Sequence, residues 1–409
     1  MGPLQNLTVL DLTRALSGPY ATLLLAGMGA RVIKVEELGF GDVARGNVPY
    51  AGRDGVHRQP QHDDDLSVPF LDRNRGKLGV TLNLKHERAR EVFADLVRHA
   101  DLVVENFSPG TADRLGVGYA FAAQINPAVV YASINGFGSD ADASDGKAYD
   151  LITQALSGVT MASGMPGDEP TRIGIPAGDL IAPLYAVMGS LAAIIRARET
   201  GEGQHVDVSM LGALTALVAV EPWDAYEAVG MEPRTGNFLN RLAPFGLFEC
   251  LDGRVAICAA TDKFFARVPA AIGRPELLED ERFARRARRA SNAEAIHAIL
   301  GAWTAERTVE EIVKTLNAAD IPVAPVRTPR EAIRDPRVLD RHETVPLAHP
   351  THGEVGALIG SGLPIRFSRD EAGFAGPAPI HAQHNSEVYG RLLGYTPDQL
   401  EQMASDGLI

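Results

Sequence analysis

The first 135 residues alternate short β-rich runs with helical stretches, and this alternation constrains the fold more than any other feature. The β-rich runs are residues 7–12, 31–36, 80–84, 102–105 and 129–134. Ser17-Gly18-Pro19 marks the start of a helix after the first run and Gly29 marks its end. An amphipathic helix is predicted over 86–99. Strands separated by helices of this length predict an α/β domain with a mostly parallel sheet, covered on both faces.

Beyond about residue 225 this alternation ends. Asp252-Gly253 separates two β-rich runs, a strong hairpin signal, and helical stretches follow. Residues 326–380 are rich in Pro, Gly and His with little periodicity, which indicates an extended connection. We therefore divide the chain into a large domain (1–205), a linker helix (206–228), a small α+β domain (229–325), an extended linker (326–380) and two C-terminal helices (381–409).

Composition excludes several function classes. The net charge of −13 argues against nucleic acid as a main partner, since phosphate binding over a large face needs a positive surface. No apolar run approaches the roughly 18–20 residues of a membrane-spanning helix, and Met1–Gln5 lacks the features of a secretory signal. Cys250 and Cys258 are out of register for a disulfide, so buried free thiols are predicted. We expect a cytoplasmic protein without a membrane partner.

A metal site is not predicted. The loop from Gly39 to Val68 contains His57, His62 and the run Asp63–Asp65, but their spacing matches no strong ligand pattern. A solvated loop is the better interpretation.

Asp179 is the main candidate for catalysis. It ends the segment TRIGIPAGD (171–179) and precedes a long helical run, 180–198, so one interpretation is a helix N-cap. The helix dipole stabilises an ionised carboxylate at this place. An ionised carboxylate held beside Gly178 is also what a nucleophilic aspartate requires. The two interpretations are compatible.

Several segments are candidates for binding phosphate. Ser17-Gly18-Pro19 opens a helix, and Arg14 lies just before it. Arg75, Lys77 and Arg114 can make charge-assisted contacts, although each alone is more often a solvated surface residue. The first βαβ unit has no GxGxxG fingerprint, so a dinucleotide site has little support. The absence of a GxSxG elbow and of a Cys–His pairing argues against serine or cysteine hydrolysis.

Eight segments in order, and a ninth at the end of the chain, carry a resemblance to one family. They are VLDLTRALSGP (9–19), LAGMGARVIKVE (25–36), NRGK (74–77), VENFSPGTADRLG (104–116), YDLITQALSG (149–158), IPAGD (175–179), TGEGQHVDVSML (200–211), LFECLDGRVAI (247–257) and HNSEVYGRLLGYT (384–396). In these segments the chain resembles the class III coenzyme A transferases. That group includes formyl-CoA:oxalate and carnitine CoA-transferases and, more remotely, α-methylacyl-CoA racemase.

The resemblance implies a fold and an assembly. A Rossmann-like large domain and a small domain would be joined by long linkers into a ring-shaped protomer. Two such protomers would interlock as a homodimer, and the final segment would return to the large domain.

The resemblance also implies a reaction. Asp179 would attack an acyl-CoA thioester, giving a mixed anhydride and CoA thiolate, and the thiolate would then form an aspartyl-CoA thioester while the first acid leaves. A second acid would attack, and the second anhydride would collapse to the new acyl-CoA. Coenzyme A is thus a substrate, and no prosthetic group is expected. We expect closure of the small domain to keep water from the anhydride.

The family motifs further imply contacts with the CoA moiety. These fall on the first βα turn (Leu16, Ser17), on Asn74, Arg75, Gly76 and Lys77, on Asn106, Phe107 and Ser108, on Arg114 near the phosphates, and on Asn135, Gly136 and Phe137 near the pantetheine end.

Two departures from formyl-CoA transferase matter. Glu37 stands where that enzyme has an arginine, which removes support for its adenine-side contacts. The run of consecutive glycines over its active site is replaced by Leu242–Gly246. Oxalate as acceptor acid therefore has no support from the sequence.

Two alternatives stay open. A 2-methylacyl-CoA racemase would use a histidine in a GHD motif, but the matching positions read Ala148-Tyr149-Asp150, and a tyrosine with a pKa near 10 is a poor base. A protein that binds acyl-CoA without turning it over is the second alternative, disfavoured by the presence of Asp179. We further hypothesise an acid pocket around Asn237, Asn240 and Arg241, in which the arginine pairs with the second carboxylate of a dicarboxylic acid.

Overall fold

The computed structural model describes residues 2–141, 147–239 and 241–409. Its contacts divide the chain into two compact units. We call Met1–Ser157, Gly174–Leu217 and Ile333–Ile409 the sheet unit, and Gly158–Ile173 with Val218–Ala332 the small unit.

The strands are β1 (Thr8–Asp11), β2 (Arg31–Glu36), β3 (Tyr50–Gly52), β4 (Gly55–His57), β5 (Leu66–Ser67), β6 (Leu78–Thr81), β7 (Leu102–Glu105), β8 (Val130–Asn135), β9 (His205–Ser209), β10 (Phe245–Glu249), β11 (Arg254–Cys258), β12 (Val323–Pro325), β13 (Thr344–His349) and β14 (Gly353–Ser361).

The helices are α1 (Ser17–Gly27), α2 (Val68–Arg73), α3 (Ala89–Arg98), α4 (Thr111–Arg114), α5 (Tyr119–Ile125), α6 (Asp150–Leu156), α7 (Val159–Ala162), α8 (Ala177–Thr200), α9 (Met210–Val218), α10 (Trp223–Ala228), α11 (Asp262–Phe265), α12 (Val268–Ala271), α13 (Arg286–Ser291), α14 (Ala293–Ala305), α15 (Val309–Ala318), α16 (Pro329–Ala332), α17 (Pro336–Leu339) and α18 (Pro397–Ser405), with a π-helix over Ser386–Leu392.

A parallel sheet of six strands, in the order β6-β2-β1-β7-β8-β9, forms the centre of the sheet unit. Every neighbouring pair in it is parallel. The predicted α/β class with a parallel sheet is therefore confirmed. Strand β9 was not predicted, because its run HVDVS is short and three of its five residues, His205, Asp207 and Ser209, are polar.

Apolar residues cover both faces of this sheet, since successive side chains of a strand point to opposite sides. Val9 belongs to a core cluster with α1 and α8, which pack along one face. Leu10 belongs to the cluster on the other face, where Phe93 of α3 is fully buried. Each such side chain contributes about 1.5–3 kcal/mol by leaving water. The sheet is thus held between two helical layers.

The C-terminal segment packs on the face that carries α3. Tyr389 of the π-helix is fully buried and its hydroxyl donates to the Thr81 carbonyl at 2.8 Å. Met403 of α18 is buried in the same cluster. Within residues 326–380, where only an extended connection was predicted, β13 and β14 pair as a hairpin. A register shift between Pro346 and Ala348 breaks the alternation that would have indicated the strand.

Helix α8 is the only helix of the described residues that is long and apolar enough to cross a membrane, judged by length and composition alone. No such helix was predicted from the sequence, because the apolar run after Asp179 ends at Arg196. Ala186 and Ala193 of α8 are buried against the sheet, while Met188 and Ile195 on its other side are exposed. This helix therefore packs in the sheet unit along one side only.

The small unit has its own core. Strands β10, β11 and β12 form an antiparallel sheet, which includes the predicted hairpin around Asp252-Gly253. Ile257, Ile296 and Leu316 join the sheet, α14 and α15 in one cluster. Cys250 and Cys258 are free, as predicted, but half-buried instead of buried. Residues 158–173 also belong to this unit, which differs from the boundary at 205 taken from the sequence.

Candidate active site

Asp179 lies inside the first turn of helix α8, which begins three residues before the start predicted from the sequence. Helix α8 begins at Ala177 with Pro176 at the N-cap position, so Asp179 is the third helical residue and the predicted N-cap role is wrong. Its carboxylate accepts no hydrogen bond from any described residue, although the side chain is only partly exposed. The carboxylate is therefore held on a rigid helix with its oxygens free of internal partners.

Asp150, the first residue of α6, caps α8 from another segment. Its Oδ1 accepts from the Gly178 N–H at 2.8 Å, and its Oδ2 accepts from Gln154 Nε2 at 2.8 Å. A Cβ on Gly178 would lie 2.8 Å from Thr153 Oγ1, so glycine is needed for α6 to approach this closely. Sequence reasoning missed this role, because residues 28 positions apart give no local pattern.

The surroundings of Asp179 favour its protonated form more than water does. Burial, together with the negative charge of Asp150, raises the pKa of Asp179 to about 6, while Arg73 opposes the shift. The carboxylate is thus still ionised at neutral pH, with a basicity closer to neutrality than that of an ordinary aspartate. Such tuning is typical of catalytic carboxylates.

Arg73, the last residue of α2, is a second site residue that sequence reasoning missed. Its Nη1 donates to the Ala15 carbonyl at 3.0 Å, and the Ala15 N–H donates to Asp42 Oδ1 at 2.8 Å. Ala15 has a φ of 68°, an uncommon conformation for alanine that these two bonds hold in place. Arg73 lies one position before the NRGK segment, so the motif did not include it.

The sheet topology explains why these groups meet. Because β1 and β9 are parallel, α1 after β1 and α8 before β9 both start at the carboxyl edge of the sheet. The two helices pack on each other, which puts Leu16 and Ser17 on the same side as Asp179. Ser17 is buried, and its Oγ has no partner among the described residues. Crevices at this edge are the usual ligand site of open α/β sheets.

Side chains of the predicted binding segment 74–77 already have partners within the protein. Lys77 Nζ donates to Asp11 Oδ2 and to Asn74 Oδ1, both at 2.9 Å, with Lys77 and Asp11 fully buried. Arg75 is buried and donates to Asp72 and to the Ser361 carbonyl. Ligand contact through these charged groups would require breaking these bonds. The predicted contacts of this segment with CoA, including that of Gly76, would therefore have to be made by backbone atoms.

A cavity of about 220 Å³ opens at the carboxyl ends of β1, β2 and β6. The predicted contact residue Phe107 lines it together with Arg14, whose guanidinium carbon is 5.3 Å from the ring centre. Glu37 also lines it and forms an exposed ion pair with Lys85 at 3.5 Å. The cavity wall thus contains the apolar ring of Phe107, the Arg14 guanidinium and the Glu37–Lys85 ion pair.

The other predicted contacts surround the same edge. Asn106 exchanges two hydrogen bonds with the backbone of Arg14, at 2.8 and 2.9 Å, and Ser108 is exposed. Arg114 is exposed and donates to Thr111 Oγ1, a residue of the cavity wall.

Asn135, at the end of β8, turns its side chain inward. Its Oδ1 accepts from the Phe137 N–H at 3.2 Å, and the Gly136 carbonyl accepts from the Leu211 N–H at 3.0 Å. These bonds shape the turn 135–137 at the same edge as the other predicted contacts.

The hypothesised acid pocket of the small unit does not offer a free cation. Arg241 donates to both Glu221 oxygens, at 2.6 and 3.1 Å, and to the Tyr226 hydroxyl at 3.0 Å. The hydrogen bond that Arg241 donates to Glu221 raises the pKa of Arg241. Pairing of Arg241 with a substrate carboxylate is therefore disfavoured, since Glu221 already occupies it. Asn237 is exposed, and Asn240 lies outside the described residues.

Residues 39–68 are more ordered than a solvated loop, since β3, β4 and β5 form a small antiparallel sheet. His62 pairs with Asp54 and His352 pairs with Asp64, each by its Nε2. Within the part of the chain that the structure describes, no group of three or more His, Cys, Asp or Glu residues is arranged to hold a metal ion.

Comparison with known proteins gives a consistent result. A family model described as CoA-transferase family III matches residues 4–385. The chain is 36% identical to an acetyl-CoA:oxalate CoA-transferase of Acetobacter aceti, over 90% of each chain. It is 35% identical to a succinyl-CoA:mesaconate CoA-transferase of Haloarcula hispanica, over 95% of this chain and 96% of that one. A crystal structure of a CaiB/BaiF family protein from Brucella suis superposes with a TM-score of 0.80 at 30% identity, over 96% and 99% of the two chains.

Proposed function

This chain belongs to CoA-transferase family III and is a CoA-transferase acting between acyl-CoA thioesters and carboxylic acids, and from that premise we propose that Asp179 carries the transfer by covalent catalysis. The observation that carries the proposal is a partly buried carboxylate on a helix at the carboxyl edge of the sheet, to which no described residue donates a hydrogen bond.

The proposed sequence of steps needs no proton transfer. An Asp179 oxygen attacks the thioester carbonyl carbon, the C–S bond breaks, and CoA leaves as a thiolate. The thiolate attacks the Asp179 carbonyl carbon of the resulting anhydride, and the first acid leaves as a carboxylate. The second carboxylate attacks the aspartyl thioester, and the released thiolate finally attacks the new acyl carbonyl. That last step regenerates the Asp179 carboxylate.

The electrostatics support this role. A nucleophile must be ionised at the working pH and yet basic enough to attack, and a pKa of about 6 meets both conditions. Desolvation supplies the basicity, since it removes the water that would otherwise stabilise the carboxylate. Asp150 fixes the backbone next to the nucleophile through the Gly178 N–H. The attacking oxygen is thereby aimed by the helix instead of by a mobile loop.

We propose a dicarboxylic acid, or its half-thioester, as the class of acid exchanged. The two relatives named above act on oxalate and mesaconate, which are both dicarboxylates. Coenzyme A would bind along the carboxyl edge, with its nucleotide end in the cavity beside Phe107 and Arg14. We place the reaction in the cytoplasm.

Trapping tests the covalent step. The protein is incubated with acetyl-CoA or succinyl-CoA, quenched with hydroxylamine, and digested for mass spectrometry. A hydroxamate on the peptide that contains Asp179 is expected, and it should be absent without acyl-CoA. A protein that transfers CoA between acids while no donor ever labels Asp179 would overturn the proposal.

The racemase is not favoured. Its proton-transfer partner would have to come from the Ala148-Tyr149-Asp150 segment, where the Tyr149 side chain is 73% exposed and Asp150 is committed to capping α8. The relatives are named as transferases, which also disfavours a binding protein without activity.

A homodimer is part of the proposal, and the surface of α8 supports it. Leu184, Met188 and Ile195 are between 44 and 62% exposed on a helix whose other side is in the core. An apolar stripe of this kind is unusual on a free surface.

Met188→Glu should convert a dimer into a monomer, as measured by size-exclusion chromatography with light scattering. Lys85→Glu, at an exposed site of the sheet unit, serves as the matched control. A chain that is monomeric before mutation contradicts the proposed assembly.

A further inference from the structure

Arg73 uses fewer of its donors inside the protein than Arg45, Lys77 and Arg75, three other buried or half-buried cations of the sheet unit. Arg45 is bonded to both oxygens of Glu36, and Lys77 is surrounded by four acceptors. Arg75 donates through Nε and Nη2 to Asp72 and Ser361, while its Nη1 is buried without a hydrogen-bond partner among the described residues. Arg73 makes a single hydrogen bond among the described residues, from Nη1 to the Ala15 carbonyl.

The unused donors of Arg73 are accessible to a ligand, since none of its nitrogens is among the fully buried, unpartnered polar atoms of the described residues. A guanidinium carries five N–H donors in a planar fork, and Arg73 leaves most of them unbonded while its side chain is half-buried. Burial of the group lowers the pKa of Arg73, because desolvation is only partly offset by nearby acids. A half-buried cation of this kind is stabilised when a carboxylate supplies paired acceptors.

The position of Arg73 restricts what that ligand can be. Its bond to Ala15 places the guanidinium at the first βα turn, where α1 starts beside the start of α8. Helices α1 and α8 pack on each other, so the turn that Arg73 contacts lies at the same edge of the sheet as Asp179. A short dicarboxylic acid has its two carboxyl groups only a few bonds apart. One end can therefore react at Asp179 while the other is held nearby.

We propose that the Arg73 guanidinium binds the second carboxylate of the dicarboxylic acid, and so selects dicarboxylic over monocarboxylic substrates. This inference rests on the proposed function. It assigns the pairing with the second carboxylate to Arg73 instead of Arg241, because Arg241 is already bonded to Glu221. A site built to bond a polar group rejects an analogue that lacks it, since its own donors are then left unpaired.

The test compares acids that differ only in the second carboxylate. Glutarate and pentanoate are used as acceptors with one acyl-CoA donor, for the unaltered chain, Arg73→Gln and Arg73→Lys. Arg73→Gln should raise the KM for glutarate by at least about 10-fold, since a charge-assisted bond is lost, and should change the KM for pentanoate by less than about 2-fold by the same reasoning. Arg73→Lys, which keeps the charge but not the fork, should fall between.

Controls separate the possible failures. Arg98→Gln, at an exposed arginine of α3, should leave both KM values unchanged, and melting temperatures check that each variant is folded. Equal changes for the two acids in both Arg73 variants would overturn the role of Arg73 while Asp179 is still labelled by the donor. Failure of the unaltered chain to label or to transfer would instead overturn the proposed function.

Discussion

Asp11 and Asp179 are both carboxylates near the carboxyl edge of one sheet, yet their surroundings are opposite. Asp11 is fully buried and accepts from Thr13, Thr22 and Lys77. Although burial alone would raise its pKa, the charges of Lys77 and Lys34 and these bonds lower it to about 2. Asp179 has no such partners, and burial raises its pKa to about 6.

The comparison shows that burial by itself does not distinguish a structural charge from a reactive one. What distinguishes them is whether the acceptor capacity of the group is used inside the protein. The Asp11 network joins β1, α1 and the segment before β6, so its bonds hold the fold. The oxygens of Asp179 are available to a substrate, and besides burial the charges of Asp150 and Arg73 act on its pKa, the first raising it and the second lowering it.

The largest predicted effect is on the reactive side of the comparison. Asp179→Asn and Asp179→Ala should lower kcat by at least about 10³-fold, as loss of a nucleophile does. Because the pKa of Asp179 is raised on folding, its ionised form destabilises the protein at pH values above its folded pKa. Both variants should therefore melt at an equal or higher temperature at pH 8. Transfer assays and thermal melts check both parts, and an undiminished rate in either variant would contradict the role of Asp179.

Next comes the structural side. Lys77→Ala should destabilise the protein by about 3–5 kcal/mol, because it leaves Asp11 charged and buried without its main partner. Urea unfolding at pH 7 measures the loss. Lys85→Ala, at an exposed ion pair, is the control and should cost less than about 1 kcal/mol. Equal losses of stability in the two variants would contradict the view that the bonds of the buried Asp11–Lys77 pair hold the fold.

A smaller effect, on the pH dependence of activity, is expected at Asp150, which both caps α8 and raises the pKa of Asp179. Asp150→Asn keeps an acceptor for the Gly178 N–H but removes the charge that raises the Asp179 pKa. The acidic limb of kcat/KM, on which activity rises as Asp179 loses its proton, should move to lower pH.

Arg73→Gln should move the same limb of kcat/KM to higher pH, since the positive charge that lowers the pKa of Asp179 is lost. The pH profile of each variant measures these shifts, and shifts in the same direction would show that charge is not the cause.

Parts of this picture were available from the sequence. The bounds of β2 and β7 match the β-rich runs 31–36 and 102–105, because an alternating or continuous apolar pattern is a local property of the chain. The resemblance identified the transferase family, and its assignment of Asp179 as the nucleophile stays a prediction. The start of the helix that carries Asp179 was predicted three residues late, at Leu180 instead of Ala177.

The rest depended on contacts between distant segments. Nothing in the sequence near Asp150 indicates that it caps a helix at Gly178, and nothing near Arg73 indicates its bond to Ala15. Lys77 shows the reverse case, since its motif suggested a ligand contact while the fold encloses its ammonium. Side-chain direction is set by tertiary packing, which periodicity does not encode.

The bond between the Gly178 amide and Asp150 offers a spectroscopic gauge inside the active region. An amide proton that is donated to a carboxylate resonates downfield, and its position follows the charge on the acceptor. Gly178 directly precedes Asp179, so conversion of the Asp179 carboxylate into an anhydride or a thioester would remove a negative charge next to this amide proton and shift its resonance. Nitrogen-labelled glycine would thus report each turnover intermediate without a probe attached to the protein.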